Sequence, residues 1–222
     1  MPPRRVVNLC FHGIGEPRRA LEPGEDRYWI AVEDYWRILD TVADRDDVRL
    51  SFDDGNRSDL EHGLPALLER RLRATFFVIA GRLDDAGSLD ADAVRQLRDA
   101  GMGIGSHGMD HRSWRGLDAA AARRELVEAR ERLAAVVEQP VDEAAMPRGQ
   151  YDRRALGQLR RCGYRTVFSS DRARAREGDW LQPRFSVRAG DTPDSVRREV
   201  LAPPPVRRRL ERAAVGLAKR LR

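Results

Sequence analysis

Short apolar runs alternate along this chain with amphipathic stretches of helical length, and that alternation restricts the folds open to it more than any other feature. Residues 6–11, 48–52, 74–79, 102–105, 144–146 and 166–168 read as strands. Between them, 30–43, 59–73, 90–100, 118–138 and 152–162 read as helices. Asp90, Asp118 and Asp152 stand where helix N-caps are expected, and Gly101 and Gly163 where helices close. Parallel strands cannot be joined by a tight hairpin, so strand–helix repetition implies parallel strands linked by helical crossovers. Six or seven such units in 222 residues point to an α/β fold closed into a (β/α) barrel. An open doubly wound sheet is the alternative, although no glycine-rich dinucleotide fingerprint or phosphate loop favours it.

The alternation stops after Asp191, so residues 1–190 are assigned to the barrel and 191–222 to C-terminal helices. Thr192-Pro193 is a helix start and Pro203-Pro204-Pro205 a hard break. Beyond it, Val206, Leu210, Ala213, Ala214, Leu217 and Leu221 form one apolar stripe among arginines. This last stretch reads as a helix against the barrel or as a basic tail in peripheral contact with anionic lipid. The chain carries 41 basic and 36 acidic side chains, net +5, largely interspersed on helices as solvated faces. The arginine clusters at 172–176 and 207–209 lack the stacking aromatics or zinc-finger spacing of a nucleic-acid partner. No apolar run reaches the roughly 18–20 residues of a membrane span. The first residues, MPPRRVVNLCFHG, lack the long apolar segment of a secretory leader, and Cys10 and Cys162 make no disulfide framework. A cytoplasmic protein is therefore expected.

Two strand ends concentrate the reactive side chains. After 102–105 comes SHGMDH, placing His107 and His111 four residues apart, a spacing at which both imidazoles can reach one ion. Taken alone, such a pair is often two surface or capping histidines. The strand at 48–52 runs into Asp53-Asp54-Gly55, two adjacent carboxylates that repel each other without a positive neighbour. A bare D-D-G is more often a turn. Together, however, one carboxylate and two imidazoles make the three-ligand set of a catalytic zinc-type site, and the second carboxylate is left to act as a base.

With these motifs in order, the chain resembles the polysaccharide deacetylases, the NodB-homology domain of carbohydrate esterase family four. FDDG at 52–55 matches the family's first motif and SHGMDHRSW at 106–114 its second; ATFFVIAGR at 74–82 and GMGIGSHG at 101–108 fit the segment between. The resemblance runs from about His12 to Arg188 and implies a distorted barrel of about seven parallel strands. It implies a hydrolase that removes acetyl groups from an N-acetylated sugar or glycan precursor, using one divalent metal ion, zinc first and cobalt or nickel as alternatives. Asp54, His107 and His111 would hold the metal and Asp53 would be the base. MPRGQYD at 146–152 sits at the third motif, where Pro147 and Gly149 match, Ala145 replaces the expected arginine and Arg148 the expected tyrosine. The backbone N–H at Arg148 can still serve the oxyanion, and Arg148 or Arg184 would supply the missing charge. Trp180 is a candidate sugar-stacking residue. The family's last motif, leucine-x-histidine, is absent, since no histidine follows His111. Some members are circularly permuted, and His12 at the end of the first strand resembles that arrangement, as the general acid. A catalytically inactive barrel that binds a glycan or a partner is the opposing reading.

Overall fold

In the computed structural model, which describes residues 3–203 and residue 219, the alternating elements close on themselves. The strands are β1 (Arg5–Phe11), β2 (Gly13–Ile14), β3 (Trp29–Ile30), β4 (Val48–Asp54), β5 (Ala74–Val78), β6 (Gly103–Ser106), β7 (Glu143–Ala145), β8 (Thr166–Ser169), β9 (Ala175–Arg176) and β10 (Leu181–Ser186). Seven of them form a parallel barrel in the order β1-β4-β5-β6-β7-β8-β10, and β10 pairs back onto β1. The remaining three are short: β9 lies antiparallel to β1, while β2 and β3 pair with each other. Helices α1 (Val32–Val42), α2 (Leu64–Glu69), α3 (Ala91–Asp99), α4 (Ala119–Arg123), α5 (Ala129–Val137) and α6 (Arg153–Arg161) surround the barrel, and α7 (Pro193–Val196) follows the last strand. The closed barrel rather than the open sheet is thus what forms.

Six of the seven barrel strands lie where the apolar runs predict them. The seventh, β10, is not visible as an apolar run, because Pro183 and Arg184 sit at its centre. A proline gives the ladder no N–H and marks most segments as non-strand. Here it falls where β10 changes partner: residues 181–183 pair with β8 and 184–186 with β1. Asp90, Asp118 and Asp152 cap their helices as expected, accepting from Ala93, Ala121 and Ala155 N–H at 2.7, 2.8 and 2.8 Å. The expected helix 118–138 forms with a π-helical turn, Arg124–Glu128, between α4 and α5. The expected helix 59–73 is shorter, a π turn at Asp59–Gly63 leading into α2.

The apolar core lies between barrel and helices. Phe11, Phe52 and Phe76 stack in turn at centroid distances of 5.4 and 4.6 Å, with the Tyr35 ring edge-on to Phe11. A second cluster, with Trp114, Leu126, Tyr151, Leu159 and Tyr164, packs on the β7–β8 side. Inside the barrel the chemistry is reversed. The Arg184 guanidinium lies 5.1 Å from the Phe77 ring centroid and 5.7 Å from that of Phe168, and donates to Ser51 Oγ at 3.0 Å. Gly105 on β6 makes room for this filling, since a Cβ there would come within 2.4 Å of the Phe77 ring. After β10, Thr192 and Ser195 form a capping box on α7, and Val196, Val200 and Leu201 are buried in the main core. The apolar stripe at 206–221 lies outside the described residues.

Candidate active site

The carboxyl ends of the parallel strands converge on a cavity of about 300 Å³ lined by His12, Asp53, Asp54, His107, His111, Arg148 and Arg184. Barrels of this kind keep their reactive groups at this end, because the loops after successive strands meet there. Asp53 and Asp54 close β4, His107 follows β6, and His12 follows β1. Three of these residues have left-handed backbones that non-glycine side chains rarely adopt: Asp54 at φ 78°, His111 at φ 53° and Arg148 at φ 56°. Strain of this sort, roughly 1–3 kcal/mol per residue, gathers where a site dictates side-chain direction.

Asp54, His107 and His111 form a set of facing acceptors. His107 Nδ1 donates to the Ala145 carbonyl at 2.9 Å, so its Nε2 carries the lone pair. His111 Nδ1 lies 3.0 and 3.1 Å from the two carboxylate oxygens of Glu22, and a carboxylate only accepts, so Nδ1 carries the proton and the neutral ring has its lone pair on Nε2. Both Nε2 atoms lie 3.5 Å from Asp54 Oδ1. That oxygen is buried without a hydrogen-bond partner. Three lone-pair donors within 4.8 Å of one another are a set able to hold a divalent cation.

Asp53 faces the other way. Both of its oxygens accept from Arg184, each at 2.6 Å, in a bidentate pair with both residues almost fully buried. Burial alone would raise its pKa, but the charge of Arg184, with His107 and His12 near, holds the carboxyl well below the usual carboxylate range. Of the two arginines expected to replace the missing charge of the third motif, Arg184 therefore reaches Asp53. Arg148 is half exposed and pairs with Glu22 at 2.8 Å. His12 Nε2 lies 3.9 Å from Asp53 Oδ2, and its ring stacks on Tyr28 at 4.7 Å.

Trp180, expected at the sugar-binding wall, is elsewhere. It precedes β10 and so lies at the opposite end of the barrel from the strand termini, donating from Nε1 to the Tyr164 carbonyl at 2.8 Å beneath the Arg160 guanidinium. The aromatic side chain at the cavity is Tyr28 instead. Tyr28 and Glu22 belong to a loop with no periodicity or motif to single them out. Glu125 is a third residue that spacing does not reveal. The π turn presents its buried carboxylate to the N–H groups of Met109 and Asp110 at 3.0 and 3.1 Å, bracing the loop between His107 and His111.

Burial pushes His107 from 6.5 down to about 4, against the attraction of Asp53 and Asp54. The native state thus keeps this imidazole neutral, while the unfolded chain takes up a proton near its ordinary value. In chelator, stability should fall as pH drops from about 6.5 to about 4, by up to about 3 kcal/mol. Urea unfolding at pH 7 and pH 5 measures the fall, and His107→Gln should flatten it.

Comparison with known proteins bears on the fold and the family of the chain. Residues 40–167 match the profile of the family described as Polysaccharide deacetylase. Chitooligosaccharide deacetylase of Rhizobium leguminosarum bv. trifolii is 30% identical over 142 residues, 64% of this chain and 62% of its own length. YxkH of Bacillus subtilis, also named for polysaccharide deacetylation, is 24% identical over 117 residues, 53% of this chain and 42% of its own. The chain thus spans less than two thirds of either relative. The Streptococcus pyogenes deacetylase PplD, solved in complex with acetate, shares the fold with a TM-score of 0.78 at 18% identity, over 90% of this chain and all of that one. The profile takes in Asp53, Asp54, His107, His111 and Arg148, whereas His12 follows β1 and Arg184 lies on β10, strands that flank it in sequence and adjoin in the barrel. Because the match covers more than half of the sequence and holds both strand-end motifs in order, the chain belongs to the polysaccharide deacetylase family.

Proposed function

We propose that this chain hydrolyses the acetamide of an N-acetylated sugar or glycan precursor, giving a free amine and acetate, with a divalent metal ion held by Asp54, His107 and His111. The observation that carries the reading is the unpartnered Asp54 Oδ1 facing two imidazole Nε2 atoms, an arrangement that a cation would satisfy. When bound, such an ion polarises an amide carbonyl and acidifies the attacking water. Asp53, kept ionised by Arg184, takes the proton that water gives up as its oxygen bonds to the carbonyl carbon. His12, across Asp53, gives a proton to the nitrogen as the C–N bond breaks. The backbone N–H of Arg148, on a loop braced by the Gly149 N–H donating to the Met146 carbonyl at 3.1 Å, serves the oxyanion. The name of the Rhizobium relative supports a sugar substrate.

Protein purified in chelator should take up about one equivalent of Zn²⁺, with Co²⁺ and Ni²⁺ as substitutes, and then release acetate from chitooligosaccharides or other acetylated glycans. Asp54→Asn should fold, since asparagine tolerates the left-handed backbone at φ 78°, yet lose the ion. Metal uptake without acetate release from any acetylated sugar would favour the inactive binding barrel. A chain that takes up no metal would sink the hydrolase reading.

A further inference from the structure

The loop at residues 15–28 contributes nothing to the family motifs, yet it is built as a rigid frame against them. Its base is clamped where β2 and β3 pair in parallel, Gly13 opposite Trp29. Gly13 cannot be replaced there, because a Cβ would lie 2.0 Å from the Trp29 ring. Gly15 N–H donates to the Ile30 carbonyl at 2.8 Å, closing the neck of the loop. Within the loop the nearly buried Glu25 carboxylate accepts from Arg19 and, at 2.8 Å, from the Glu22 N–H. Arg19 in turn donates to Asn56 Oδ1 at 3.1 and 2.8 Å, two residues beyond Asp54. The backbone of Glu22 is therefore fixed to the turn that carries the first motif.

The Glu22 side chain then reaches the other two motifs. It accepts from His111 Nδ1 at 3.0 and 3.1 Å, from Arg148 at 2.8 Å, and from Arg82. His111, Arg148 and Arg82 thus converge on one carboxylate. An accepting carboxylate on Nδ1 holds an imidazole in one tautomer and one ring orientation and increases the basicity of Nε2, which is how metal-binding histidines are commonly set.

We infer that Glu22 is the positioning residue of the metal site, fixing His111 with its Nε2 lone pair toward Asp54 and tethering Arg148 of the oxyanion loop to the same point. This rests on the metal reading above and adds a residue that the family motifs do not contain. Arg82 and Arg148 donate to the same carboxylate and so restrict how it can turn.

The test is the Zn²⁺ affinity of the full chain, measured by competition with a chromophoric chelator, beside thermal melts in chelator. Glu22→Ala should bind Zn²⁺ about 10- to 100-fold more weakly than wild type. Its melting temperature in chelator should fall only slightly, because Arg148 is half exposed and the Arg82 side chain keeps 20% of its surface in water. Glu22→Gln, which keeps an oxygen to accept from His111 Nδ1, should recover most of the affinity. Wild-type affinity in Glu22→Ala would overturn the inference, as would a Glu22→Gln protein as weak as Glu22→Ala. If wild type itself binds no Zn²⁺, it is the metal reading that fails, a result plainly different from equal binding by wild type and variant.

Discussion

Asp53→Asn is expected to lower turnover on an acetylated sugar by about 10²–10⁴-fold, the usual contribution of a general base. The geometry adds a complication that spacing alone does not show. Asp53 is half of a buried bidentate pair, and the substitution leaves the Arg184 guanidinium inside the barrel without its counter-charge. Removing one member of such a pair costs about 3–5 kcal/mol. The single variant should therefore lose stability as well as activity. In Asp53→Asn/Arg184→Met, with both charges gone, denaturant unfolding should recover much of that loss while turnover stays down. A double variant that regained turnover would show that Asp53 acts only as the partner of Arg184 and not as a base. Uptake of Zn²⁺ should persist in both, because Asp54, His107 and His111 are untouched.

His12→Ala is expected to slow amide hydrolysis by a factor on the order of 10² while slowing an activated aryl ester far less. An amine must be protonated to leave, whereas a stabilised phenolate need not be. The ring position is compatible with the role: Nε2 stands 3.9 Å from Asp53 Oδ2, and the Tyr28 ring stacked on its face limits how it can turn. Equal losses on both substrates would mean that His12 merely shapes the wall with Tyr28. Tyr28→Leu is the companion measurement, since loosening the stack should weaken the amide reaction more than the ester one if His12 is the acid.

Much of the barrel is legible in short stretches. Strand periodicity and capping aspartates act within a few residues, so six strands and the starts of α3, α4 and α6 can be read without knowing what lies across the molecule. His107 and His111 are legible for the same reason, four residues apart on one loop after β6. So is the Asp53-Asp54 pair. The π turn that carries Glu125 is not, because the helical pattern on either side continues through it and only the contact with Met109 and Asp110 shows what the extra residue achieves.

The sequence by itself determined the class of fold, the strand-end motifs and the three groups able to share an ion, since each depends on local periodicity or on spacing within one loop. Tertiary structure alone decided which arginine serves Asp53, where the aromatic wall stands, and what holds His111. Arg184 reaches Asp53 only because β10 closes the barrel against β1, a contact 131 residues apart in sequence. Trp180, three residues before Pro183, is carried to the far end by the same strand. Glu22 meets His111 across 89 residues, through a frame of hydrogen bonds that begins at Asn56. Such contacts are set by ring closure and by the direction in which each strand enters it, and no short-range pattern of side chains encodes either.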